Sequence, residues 1–186
     1  MSSNGRLPEL IPDQLDPQQR SVYEAILASR GGSIAGPFAA WLRSPVLADR
    51  AQSLGEFCRY HTSLPARLSE LAILITARQW RANAEWQIHA PIARREGLSD
   101  ELISALQAGT EPAFRFEDEK IIYQLAMQLY ESRRVSAATY QAAVNSLGET
   151  SVVELVGLLG YYALVAMTLN VFDMQLTDPA NRPFTG

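Results

Sequence analysis

From Leu155 to Phe172 the chain runs for 18 residues without a formal charge. A run of that length either crosses a bilayer or lies buried on most sides inside a helical assembly. Gly157, Gly160, Tyr161, Tyr162, Thr168 and Asn170 lower its hydrophobicity, and no cationic flank follows it. The expectation is therefore a buried helix and no membrane partner. Elsewhere no stretch alternates apolar and polar residues with β-branched enrichment for long enough to suggest a sheet. Helical spacing dominates, and the fold class expected is all-α.

Breakers and caps divide the chain. Residues 1–15, with Pro8 and Pro12, read as an N-terminal arm. Residues 16–175 read as a single helical domain, and residues 176–186 as an irregular tail with Pro179 and Pro183. Within the domain, Asp16-Pro17 opens a helix that Gly31-Gly32 stops. A brief helical turn spans 37–43, and Ser44-Pro45 starts a helix to about Arg59. Ser63-Leu64-Pro65 starts the next, with Leu68, Leu71, Ala72 and Ile75 on one face. Asn83 is expected to cap a helix that Gly97 ends, and Ser99 one that ends at Gly109. Helices follow over 117–132 and from Ser136 to Gly148, and Ser151 is expected to cap the long apolar helix.

At 186 residues the chain suits one domain with an added arm, and it needs no disulfides to hold a core. Its single cysteine, Cys58, rules out a CxxC redox pair and fits a reducing, cytoplasmic setting. With only His61 and His89 beside that cysteine, a His/Cys zinc site within one chain is not expected. The net charge is −4 and the cations are scattered, which argues against nucleic acid. Met1 to Ile11 has no apolar core of a secretory signal.

The chemistry-bearing stretch runs from Ser69 to Gly97. Glu85 and His89 stand four apart on one helix and so share a face. A carboxylate beside an imidazole favours the imidazolium and fixes its tautomer, and such a pair can shuttle a proton near neutral pH. Trp86 borders the same surface. Glu70 interrupts an apolar run on the preceding helix, and antiparallel packing would bring it toward His89. Blander readings stand beside this one. A Glu–His pair at this spacing is commonly a solvated surface pair, and an acid near a helix start a dipole contact. His61 reads as a helix C-terminal partner and Cys58 as a small packed group. Trp41, Trp80 and Tyr161-Tyr162 read as core or interface.

The text from Glu85 to Ser99, EWQIHAPIARREGLS, together with the SELAIL run at Ser69 to Leu74, resembles carboxymuconolactone decarboxylases and the wider alkyl hydroperoxidase D-like superfamily. The match covers about residues 37–110 well and the rest by helical layout. In the peroxidase branch a Glu precedes a CxxC pair by twelve residues, and a His follows the second Cys by four. On this chain those positions fall on Glu70 and His89, while the thiol positions hold Ala82 and Glu85. Dithiol peroxidase chemistry needs an attacking and a resolving thiol, so it is not expected. The resemblance implies an alkyl hydroperoxidase D-like helical bundle, assembled as a homo-oligomer (trimer or hexamer). It also implies cofactor-free acid/base chemistry on a small-molecule substrate, a carboxylated lactone or related acid that loses CO₂.

On that reading the catalytic set is Glu70, Glu85 and His89, with His89 moving the proton, Glu85 orienting it and Glu70 binding or relaying. Trp86, Arg78 and Tyr162 are the substrate-binding candidates, Arg81 being the alternative cation, and no metal or cofactor is expected. The alternatives are a lactone isomerase or hydrolase of the same fold, or a non-catalytic helical oligomer.

Overall fold

A computed structural model describes residues 5–30, 34, 36–174, 180 and 182–184. Among these it contains nine α-helices and no strand: α1 (Pro17–Arg30), α2 (Pro37–Trp41), α3 (Pro45–Tyr60), α4 (Ala66–Gln79), α5 (Asn83–Arg95), α6 (Asp100–Ala108), α7 (Glu117–Ser132), α8 (Ala137–Leu147) and α9 (Glu149–Val171). The Gly31-Gly32 stop expected after α1 lies outside the described residues, as do residues 1–4 and most of the tail.

Helix α4 is the hub, packing against α5, α6, α7 and α9. Every residue from Leu68 to Ala77 is buried, so α4 has no solvent face over its middle. A helix apolar all round must be enclosed, and its neighbours supply the enclosure. The consequence for the site is direct: Glu70, carried inside that run, goes into the interior with it.

Start signals explain most of the element boundaries. Asp16 and Gln19 form a reciprocal box, Gln19 N donating to Asp16 Oδ1 (2.8 Å) and Asp16 N to Gln19 Oε1 (3.1 Å). Ser99 accepts from Leu102 N and Ser136 from Thr139 N, the side-chain caps their positions foretold. Two expected caps are corrected. Asn83 does not cap α5, because Ala82 holds that position. Its amide instead clamps the tail, accepting from Phe184 N (2.7 Å) and donating to Phe184 O (3.2 Å). Ser151 lies inside α9, which begins two residues earlier, and its hydroxyl bonds Ser63 Oγ at 2.8 Å.

The turn between α4 and α5 sets the site's geometry. Arg81 adopts a left-handed φ of 48°, and Ala82 N donates back to Ala77 O at 2.8 Å. That reversal within three residues lays α5 alongside α4, the helical counterpart of a hairpin. The long helix α9 closes the other side of α4. By length and composition α9 could cross a membrane, and 56% of its most apolar window is buried in the bundle. Trp41 ties α2 to it, donating from Nε1 to Thr168 Oγ1 at 2.9 Å. Arg6 of the arm is tied to the end of α9, its N donating to Phe172 O at 2.8 Å.

Candidate active site

His89 lies on the face of α5 that meets α4, and its Nδ1 stands 2.8 Å from Glu70 Oε2. Both side chains are shielded from solvent, as is Glu85, with residue exposures of 4, 7 and 2% respectively. With Glu70 as carboxylate, Nδ1–H donates, which fixes the tautomer and leaves Nε2 as the nitrogen that can take or give a proton. A histidine oriented by a buried acid is the arrangement found in general-base sites. The His89 ring packs against Tyr162 of α9, the ring centroids 5.2 Å apart and the planes nearly perpendicular. Tyr161 packs against Tyr162 in the same manner at 5.3 Å.

The partner of His89 is thus the acid 19 residues away, while the acid four residues away has a different situation. Both oxygens of Glu85 are fully buried and have no hydrogen-bond partner among the described residues. The sequence assigned orientation of the imidazole to Glu85 and relay to Glu70. The α4–α5 hairpin instead puts Glu70 on the imidazole, because the Nδ1 edge of the ring faces α4. Burial pushes the Glu85 carboxyl well above the ordinary carboxylate range. This holds although Glu85 sits in the first turn of α5, where the helix dipole favours the charged form.

Two tyrosines feel the acids. Burial pushes the Tyr162 hydroxyl up; the charge of Arg59 opposes that rise, and the charges of Glu70 and Glu85 add to it. Burial likewise raises Tyr130 of α7, again with a contribution from Glu85. Tyr130 and Thr76 were not singled out from the sequence, yet their hydroxyls meet at 2.9 Å. The one available signal was that Tyr130 continues the inward stripe of Ile122 and Ala126 at four-residue spacing.

The remaining candidates lie apart from this pair. Trp86 is buried, but its ring packs on Phe184 at 5.2 Å, one position around the helix from Glu85. Arg78 lies over the same Phe184 ring, 5.4 Å from its centroid, and closely against Gly109. It lines a cleft of about 220 Å³ between α4, α6 and α7, with Ile75, Leu106, Tyr123 and Met127, and makes no contact with the His89–Glu70 pair. Arg81 occupies the α4–α5 turn. Cys58 is buried on α3, where desolvation, and secondarily the charge of Glu154, pushes its thiol up to about 11. Among the described residues no three His, Cys, Asp or Glu side chains group as a metal-holding set.

No protein-family profile matches the chain, and no curated protein matches it significantly. Solved structures do. The debrominase Bmp8, determined as a cysteine-to-alanine variant in complex with 2,3,4-tribromopyrrole, superposes with a TM-score of 0.71 at 16% identity, over 95% of this chain and 94% of that one. An uncharacterized peroxidase-related protein from Silicibacter sp. TM1040 superposes with a TM-score of 0.72 at 11% identity, over 93% of this chain and 92% of that one. The fold is alkyl hydroperoxidase D-like. At these identities the likeness extends to the fold alone. In this alkyl hydroperoxidase D-like bundle the buried His89–Glu70 pair sits where α4, α5 and α9 meet.

Proposed function

We propose that the protein is a cofactor-independent acid/base lyase, acting on a small carboxylated lactone or a related acid. The observation that carries this reading is the 2.8 Å contact between His89 Nδ1 and Glu70, buried in the bundle with the His89 ring packed on Tyr162. Solvated surface pairs of the same composition would carry no such implication. The debrominase of the same fold holds a compact ring compound, which supports a small ring substrate here.

In such a reaction the bond between the ring carbon and its carboxylate breaks and CO₂ departs. The electron pair moves into the conjugated lactone carbonyl, giving a dienolate. His89, protonated and held by Glu70, delivers a proton from Nε2 to carbon, and solvent restores it. Lactone isomerisation uses the same residues, with His89 removing a proton before returning one elsewhere.

A homo-oligomeric assembly, a trimer or hexamer, is part of this proposal. Val153, Val156 and Val171 of α9 are exposed, as are Val46, Leu47, Leu54 and Phe57 of α3, the helix packed beside it. Apolar surface on two adjacent helices fits association with further copies of the chain.

The test is to screen unsaturated lactone acids for CO₂ release and to repeat the active case with His89→Gln. Turnover by the native chain and a loss of at least about 100-fold in the variant, with unchanged helicity, is the expected result. Equal turnover by the two proteins would exclude His89 as the proton carrier.

A further inference from the structure

We propose that the Glu85 carboxyl, donating from its O–H, and the Tyr162 hydroxyl together form a receptor for a substrate oxyanion, the enolate or dienolate oxygen that develops opposite His89. The inference rests on the acid/base reading above and gives it a substrate class: compounds whose reacting carbon is conjugated to a carbonyl.

Three observations lead to it. Glu85 and His89 are one turn apart on α5 and so face the same side. Tyr162 of α9 packs its ring against that of His89 at 5.2 Å, so it borders the face that Glu85 and His89 share. Both of its oxygens are buried, with no partner from the described residues. A buried polar group without a partner costs about 1–3 kcal/mol in general, so one that persists marks a place where a ligand completes the bonding.

The identity of that ligand group follows from counting protons. Thr76 has one hydroxyl hydrogen, and it goes to Ala72 O at 2.9 Å. At its 2.9 Å contact with Tyr130, Thr76 is therefore the acceptor, and the Tyr130 hydrogen is consumed there. Tyr130 is left as an anchored wall rather than a donor. Tyr162 is not committed in this way: its hydroxyl has no hydrogen-bond partner among the described residues, while its ring is fixed by His89 and Tyr161. Glu85 is buried with both oxygens unpartnered among the described residues, and His89 lies one turn along. In that desolvated setting a carboxyl group keeps its proton. Two neutral O–H donors beside a proton-carrying imidazole match an oxygen that gains negative charge during reaction. A carboxylic acid held neutral by its surroundings can donate to such an oxygen at neutral pH.

Two measurements test this without knowledge of the natural substrate. Infrared spectra of protein carrying isotope-labelled glutamate should show a protonated-acid carbonyl band at neutral pH that disappears in Glu85→Gln. A titration with 4-nitrophenolate, an aryl oxyanion whose colour reports binding, should show affinity that falls about tenfold or more in Glu85→Ala and in Tyr162→Phe. Glu85→Gln, which keeps a neutral N–H donor, should stay within about threefold of native. Absence of the acid band, absence of phenolate binding, or equal binding by native, Glu85→Ala and Tyr162→Phe proteins would each overturn the proposal. His89→Gln should still bind the phenolate. Loss of the oxyanion signature with His89-dependent turnover intact would sink the receptor alone, and the converse would sink the lyase reading alone.

Discussion

Glu85 makes the protein's stability depend on pH in a direction opposite to most carboxylates. Above the ordinary value of 4.5 the unfolded chain releases this proton, whereas the folded chain keeps it because burial raises the group well above that value. The folded state therefore binds more protons than the unfolded one. The stability linked to Glu85 is fully present below 4.5 and is lost as pH rises toward the folded-state value, at up to about 1.4 kcal/mol per pH unit. Glu85→Gln removes this dependence. Denaturant melts at several pH values should show the variant gaining on the native protein from pH 4.5 toward neutrality, with no gain in acid. A constant difference would mean that Glu85 titrates normally. Cys58 gives a second test at this scale. Its thiol, raised to about 11, should resist a chromogenic thiol reagent in the folded protein at mildly alkaline pH and react fully in denaturant. Fast labelling of the native state would contradict the buried placement.

Among the elements, α4 and its clamp to α7 carry the clearest energetic expectation. Arg67 donates from Nη1 to Glu119 Oε1 (2.5 Å) and from Nη2 to Asp118 Oδ2 (2.8 Å), and it lies over the Phe116 ring. Glu119 is almost wholly buried, and its other oxygen accepts from the backbone of Arg115 and Phe116. Arg67→Ala leaves that carboxylate buried without its cation, at an expected cost of roughly 3 kcal/mol in chemical denaturation. A cost near zero would place the pair among ordinary surface bridges. The helices themselves were legible in the sequence because their punctuation is local: Asp16, Ser99 and Ser136 cap where their positions suggest. Asn83 and Ser151 misled because each side chain found a distant partner, Phe184 and Ser63, that no local pattern encodes. The candidate site divides the same way. Glu70 and His89 were readable as candidates from the motif. That Glu70 takes the imidazole, while Glu85 stands buried and unpaired, depends on how the α4–α5 hairpin packs against α7 and α9. Arg78 followed helix geometry into the cleft beside α6, a destination that spacing within α4 does not reveal.

For the whole molecule, the exposed valines of α9 and the apolar residues of α3 make assembly the first property to measure. Light scattering behind size-exclusion chromatography is expected to give a trimer or hexamer. Val156→Asp, at an exposed position, should shift it toward monomer with little change in helicity. A native monomer would remove oligomerisation from the account. Catalysis depends most heavily on Glu70 and His89 acting as one unit, and a double-mutant cycle in kcat/KM on the best lactone acid tests that most directly. Each of Glu70→Gln and His89→Gln is expected to lose about 100-fold or more, and the double variant is expected to lose no more than the worse of the two. Losses that multiply in the double variant, or a Glu70→Gln protein as fast as the native one, would contradict it.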